Sequence, residues 1–379
     1  MKQISFNKPS LTGNELQYLN ECFLNQHLSG NGVFTKRCEE FLEKNLNTQK
    51  AFLTTSCTHS LEMSALLLDL RAGDEVILPS FTFPSTANAF VLRGAKPIFA
   101  DIRPDTLNLD ETKFEQLITP QTKAVVVVHY AGIACEMDEI LRIAEQHNLA
   151  VIEDNAHGLF GKYKEKNLGT FGKMATQSFH ETKNFSCGEG GALLINDEKY
   201  FARAEIIREK GTDRSKHFRG EIDKYSWIDL GSSYVLSELQ AAYLFAQFEQ
   251  AEKIQNSRRQ IWLRYAKSLD SWANENSVKL PIVPSHTEQS FHLFYMCLPS
   301  LKERDRMIEY LKNQHIQSVF HYQPLHLSKM GRSFGGKFGD CPVTEKISDT
   351  ILRLPFYNDL TVEEQSYIIQ KILEYKVEN

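Results

Sequence analysis

Short apolar runs punctuate the first two-thirds of the chain: Ala51-Phe-Leu53, Val76-Ile-Leu78, Ile98-Phe-Ala100, Ala124-Val-Val-Val-Val128, Ala150-Val-Ile152 and Ala192-Leu-Leu-Ile195. Each is strand-sized and continuously apolar, which predicts strands buried on both faces. Helix-like stretches lie between several of them, among them Ser60 to Leu70 and Met137 to His147. This alternation predicts an α/β unit, a mostly parallel sheet covered by helices. From Ser237 to Trp272 the chain is rich in Glu, Gln, Ala and Leu and reads as one or two helices leading to a second domain. A strand at Leu293 to Leu298 and helices near 303–313 and 361–374 make the remainder a small α+β domain. The expected division is a large domain over 1–250, N-terminal segment included, and a small one over 251–379 that contains the connecting helix.

Length agrees, since 379 residues exceed one ordinary core. A formal charge of −5 gives no general attraction to polyanions, so nucleic acid is not an expected partner and any phosphate site must be local. Seven cysteines without a CxxC spacing fit a reducing compartment better than a disulfide framework or a structural zinc. Met1 to Phe6 carry no apolar leader core, and no apolar run approaches the ~18 residues that span a bilayer. A cytoplasmic protein without membrane insertion is expected.

Candidate chemistry centres on Lys183, within Ser178-Phe-His-Glu-Thr-Lys183-Asn-Phe-Ser-Cys-Gly188-Glu-Gly-Gly191, downstream of Val151-Ile-Glu-Asp154-Asn-Ala-His157. Such a pair suits pyridoxal phosphate, which needs an amine for a Schiff base and a carboxylate to keep its pyridine nitrogen protonated. A solvated surface lysine is the alternative, set against a glycine turn that lets backbone approach a ligand. Asp154 ends a predicted strand, at the edge where open α/β sheets bind ligands; capping a following helix is its other use. Glu153 points to the opposite face. Ser56 and Cys57 precede a helix-like run and read as a phosphate site or as plain capping. Pro79 to Thr86 offers aromatic faces for stacking on a flat ring, with core packing as the alternative. The basic stretch from Arg208 to Arg219 reads as a diphosphate site or a solvated loop. His321 and His326 lack an acidic companion and define no metal site. Phe334-Gly-Gly-Lys-Phe-Gly339 reads as a turn, or as a lid over substrate.

Together these segments resemble the DegT/DnrJ/EryC1/StrS sugar aminotransferases over nearly the whole chain. The most specific are Glu153-Asp154, Ser178-Phe-His-x-x-Lys183 and Gly188-Glu-Gly-Gly191, supported by Gly211-Thr, Gly231-Ser-Ser-Tyr234 and Glu238-Leu-Gln-Ala-Ala242. The resemblance implies the pyridoxal phosphate-dependent fold type I, like aspartate aminotransferase, in a homodimer with shared active sites. It makes Lys183 the Schiff-base lysine and proton shuttle and Asp154 the partner of the pyridinium nitrogen. Phe83 would stack on the ring, and Ser56, Cys57 and Ser178 would hold the phosphate. His157 stands near the ring hydroxyl, where many members have glutamine.

Ser233 stands where many members place an asparagine on the neighbouring subunit's cofactor phosphate, and Val235 where they have arginine. Arg208 and Arg219 would help hold the nucleotide, and His321 and Tyr322 would line the sugar pocket. Leu61-Glu-Met, Pro79-Ser-Phe-Thr-Phe83, His129-Tyr-Ala-Gly132, Ile206 to Thr212 and Phe218-Arg-Gly220 resemble members that serve enterobacterial common antigen synthesis. The implied reaction transfers an amino group from L-glutamate to C4 of a dTDP-4-dehydro-6-deoxyhexose, giving dTDP-4-amino-4,6-dideoxygalactose or its gluco epimer. Dehydratase relatives carry histidine in place of the lysine, so Lys183 argues against that chemistry. With Asp154 and Ser178 it also argues against a non-enzymatic regulator or carbohydrate-binding protein.

Overall fold

A computed structural model describes residues 3–378; Met1, Lys2 and Asn379, at the outer ends of the two expected domains, lie outside the described residues. The strands are β1 (Lys50–Thr54), β2 (Glu75–Pro79), β3 (Lys96–Ala100), β4 (Thr122–Val128), β5 (Ala150–Asp154), β6 (Lys162–Tyr163), β7 (Lys166–Asn167), β8 (Met174–Ser178), β9 (Gly191–Ile195), β10 (Thr287–Glu288), β11 (Tyr295–Cys297) and β12 (Ile351–Arg353). Seven of them form the main sheet in the order β1-β9-β8-β5-β4-β2-β3. From β3 to β8 the neighbours run parallel, while β9 is antiparallel to both β8 and β1.

The apolar runs predicted this burial. In β4, Val125 and Val127 face the core formed with the helix Met137–Gln146, and Ala124 and Val126 face the one containing Leu61, Ala65, Ala89 and Phe90. Helices therefore cover both faces, and each buried valine contributes about 1.5–3 kcal/mol. The helix expected at Ser60 to Leu70 runs Cys57–Leu67: Ser56 accepts from the His59 amide at its start, and Asp69 turns left-handed (φ 53°) just beyond its end.

Glu238 explains a motif. Its carboxylate accepts from the amides of Gly32, Phe34 and Thr35 and from the Thr35 hydroxyl, closing the start of the helix Val33–Leu46. A buried carboxylate there satisfies orphan amides and favours the helix dipole. Glu153 does similar work on the far face of β5, accepting from Gly169, Phe171 and Gly172 at 2.7 Å each.

The Glu/Gln/Ala/Leu-rich run forms two helices, Glu238–Glu249 and Ala251–Glu275. The second belongs to both cores: Ile254 packs into the large unit, and Ile261, Trp262, Tyr265, Leu269 and Trp272 into the C-terminal one. Ile4 also buries in the C-terminal core and bridges to Ile316, so the first described residues pack there rather than with the large unit. The 334–339 stretch is a tied turn, its Lys337 amide on Asp340 (2.9 Å) and its Gly339 amide on Glu345 (2.8 Å). No helix among the described residues is long and apolar enough to cross a membrane.

Candidate active site

Topology gathers the candidate residues. The parallel strands β5 and β8 end at one edge of the sheet with Asp154 and Ser178, and the antiparallel β9 begins there with Gly191, opposite both Ser178 and Thr54. Ser56 and Cys57 follow β1 at the same edge, where the helix Cys57–Leu67 begins. Gly191 lies so close that a Cβ would fall 2.4 Å from the Cys57 amide nitrogen and from the Ser56 carbonyl carbon. Gly191→Ala is therefore expected to push apart the helix start and β9, costing about 1–3 kcal/mol. A thermal melt checks this, and an unchanged melting temperature would refute it.

Asp154 is 6% exposed and accepts from the Thr86 hydroxyl at 2.7 Å and the Ala156 amide at 3.3 Å. The residues after it form turns, not a helix, so helix capping is not its role. Burial pushes its carboxyl above the usual range, while Thr86, Ala156, Lys183 and His129 pull the other way. Lys183 follows β8 in a turn and is partly buried. Its pKa is lowered to about 8, first because burial penalises the cation, with Arg353 adding and Cys57 and Asp154 opposing. An amine in that range is readily neutral and nucleophilic.

His157 follows Asp154 into the site. Its Nε2 lies 3.4 Å from the Tyr322 hydroxyl, and its Nδ1 is buried without a protein partner. Burial first, then Lys183 and Arg353, holds the ring well below the ordinary imidazole range, so it is neutral. Phe83, 58% exposed, faces Tyr322 with ring centroids 6.2 Å apart, whereas Phe81 is the core aromatic, packed on Tyr130. The His321 ring is exposed, while its carbonyl accepts from the Tyr130 hydroxyl at 3.2 Å.

Sequence reasoning missed Arg353, His292 and Asn184. Arg353, on β12 of the C-terminal unit, is buried, donates to the Tyr130 hydroxyl from Nε (3.2 Å) and Nη2 (3.0 Å), and lies over the Tyr322 ring at 4.8 Å. Its signal was a lone charge in the apolar run Ile351-Leu-Arg-Leu354. Asn184, next to Lys183, meets His292 at 2.8 Å.

The basic stretch needs correction. Arg208 does not face a nucleotide: it is 4% exposed, donates to the Leu53 carbonyl at 2.8 Å and pairs with Glu39 at 3.1 Å, behind β1. A guanidinium sealed among those groups would leave Glu39 buried and unpaired if it turned outward. Arg219 is at the surface, its fork held by Glu205 (2.6 and 3.0 Å) and Glu221 (2.6 Å). His326 is fully buried between Ser80 (2.6 Å) and Glu345 (2.9 Å), a structural post joining the two units. Ser233 is exposed and bridges to Glu209.

The residues fit pyridoxal phosphate. A depressed lysine amine, a buried carboxylate, a helix N-terminus beside a glycine contact and an unpartnered imidazole nitrogen converge at one sheet edge. Fold and site thus define an aminotransferase-like enzyme of the pyridoxal phosphate-dependent fold type I class. The chain belongs to the DegT/DnrJ/EryC1/StrS aminotransferase family, which it matches over residues 9–373. It is 32% identical to GDP-perosamine synthase of Escherichia coli O157:H7, covering 99% of each chain. It is 30% identical to the spore coat polysaccharide biosynthesis protein SpsC of Bacillus subtilis, covering 97% of this chain and 96% of that one. The PLP form of Spr1654 from Streptococcus pneumoniae superimposes with a TM-score of 0.90 at 25% identity, covering 98% and 97% of the two chains.

Proposed function

We propose that the protein transfers an amino group from L-glutamate to C4 of a dTDP-4-dehydro-6-deoxyhexose, giving dTDP-4-amino-4,6-dideoxygalactose. The observation that carries the amino-transfer chemistry is the depressed Lys183 amine at the same sheet edge as the buried Asp154 carboxylate. Bound pyridoxal phosphate supplies the electron sink for the carbanion that this chemistry needs. Lys183 takes a proton from the donor's α-carbon and, in the second half, returns one to C4 of the sugar. Asp154 holds the proton on the pyridine nitrogen. Ser56, Cys57 and Ser178 bind the phosphate, with the partner subunit's Ser233 reaching it across a dimer. Exposed Phe218 (70%) and Trp227 (77%) are large apolar side chains suited to such an interface.

The choice of sugar is supported by the segments around Leu61, Phe83, Tyr130 and Arg208, which resemble dTDP-4-amino-4,6-dideoxygalactose transaminase. Arg219 would serve the diphosphate by exchanging a carboxylate partner for it. A second reading keeps the chemistry and changes the nucleotide, favoured by the full-length likeness to GDP-perosamine synthase. The deciding experiment follows the visible band of the cofactor-loaded enzyme with glutamate and then with the dTDP- or GDP-linked 4-keto sugar. Product NMR coupling at C4 then separates galacto from gluco. Loss of the band with glutamate and its return with the dTDP sugar supports the proposal; return with the GDP sugar alone overturns the nucleotide assignment.

The lowered lysine pKa sets a pH dependence. Only the neutral amine attacks the cofactor's aldehyde, so capture of pyridoxal phosphate by cofactor-free protein should quicken about tenfold per pH unit up to about 8 and level off above it. Stopped-flow absorbance measures this. An inflection near the ordinary lysine value would show that the amine is not desolvated.

A further inference from the structure

His157 and His292 are both buried, their rings stacked with centroids 4.1 Å apart and 20° between planes. His292 Nδ1 lies 2.8 Å from Asn184 Oδ1, while Asn184 Nδ2 donates to the Ser290 carbonyl at 2.8 Å. The amide orientation is thereby set, and its oxygen only accepts, so His292 carries its proton on Nδ1. Arg258 pins the same segment from behind, donating Nε to the Phe291 carbonyl at 2.9 Å and Nη2 to the His292 carbonyl. Ser290 in turn donates its hydroxyl to the His157 carbonyl. The segment 290–292 thus ties the residue after Lys183 to the backbone and ring of His157.

The charged and titratable groups around these rings are Lys183 and Arg353 for both, Arg258 for His292, and Tyr322 and Tyr130 for His157, the Tyr130 ring edge-on with centroids 5.9 Å apart. Burial first, and then these basic groups, keeps both imidazoles neutral, and because all three charged groups are basic the local field favours an anionic ligand atom. A neutral imidazole has one N–H. Placed on His157 Nδ1, which has no protein partner, that proton is free for a ligand; Nε2 then accepts from the Tyr322 hydroxyl.

We propose that Tyr322, donating to His157 Nε2, fixes the imidazole with its proton on Nδ1, and that His292, held by Asn184, keeps the ring aligned to donate that N–H as a hydrogen bond to an aromatic hydroxylate, the cofactor's ring oxygen. The inference rests on the pyridoxal phosphate chemistry proposed above. Tyr322 and His292 are positioning residues that act through His157.

The test uses protein loaded with pyridoxal phosphate. A donor on the ring oxygen favours its anionic form, which absorbs in the visible; without it the neutral form, absorbing in the near ultraviolet, gains. Tyr322→Phe and His292→Ala are each expected to move absorbance from the visible to the near-ultraviolet band and to weaken cofactor binding about tenfold. His292→Phe keeps a stacked ring without the Asn184 bond and should fall between. A parent band ratio and affinity in Tyr322→Phe and His292→Phe would overturn the proposal, and those two decide should His292→Ala fail to fold. Absence of any visible band in the parent protein would overturn both this inference and the amino-transfer proposal, whereas an unchanged ratio overturns the inference alone.

Discussion

Replacement of Lys183 by alanine is expected to lower turnover by ~10⁴-fold or more, because the proposed mechanism makes one side chain both nucleophile and proton carrier. Borohydride reduction of the loaded parent enzyme should leave cofactor mass on the Lys183 peptide, and the variant should gain none. Folding should not suffer. The amine's pKa falls from 10.5 to about 8 on folding, so below that range its burial as a cation opposes the folded state. Alanine removes that cost, and the melting temperature at neutral pH is expected to hold or rise. A variant that folds and keeps more than a few per cent of parent turnover would remove Lys183 from the reaction.

Asp154→Asn should be nearly as damaging, with turnover down about 10²–10³-fold, in line with deleting a preorganised charge at a reacting centre. The amide oxygen can still accept from the Ala156 amide, and the amide nitrogen in place of the other carboxylate oxygen can donate to the Thr86 hydroxyl, which also accepts, so the two contacts persist with one reversed in direction. Only the charge is lost. The folded carboxyl's pKa lies above its ordinary value, so the folded state binds that proton more readily and stability falls as pH rises through the carboxylate range. At neutral pH the ionised group is a net cost, and the asparagine variant is expected to melt no lower than the parent. Steady-state rates with glutamate and the keto sugar, beside a melt, separate the two effects. Full activity with a neutral residue at 154 would mean that the ring nitrogen needs no anionic partner.

Much of this was visible along the chain because burial leaves a local imprint. The strands around Phe52, Ile77, Val126 and Leu193 were legible as apolar runs, since a strand covered on both faces is apolar at nearly every position. β8 was not, although it carries Ser178 toward Lys183: its Thr176 and Gln177 are buried but polar, and Thr176 meets Cys57 at the start of a helix far away in sequence. The charge density that drew attention to Arg208 was equally misleading, because density does not tell a sealed guanidinium from an exposed one.

By itself the sequence determined six strands of the main sheet, the family and the candidate pair, since Lys183 and Asp154 sit in local segments whose glycines, carboxylates and strand ends carry their own meaning. Tertiary structure alone decided the rest. Arg353 and Tyr322 reach the site from the C-terminal unit, and His292 stacks on His157 across a fold-back of the chain. Contacts between residues far apart in sequence leave no periodic trace, and whether a polar group is buried, paired or unpartnered is settled only when those distant segments pack together.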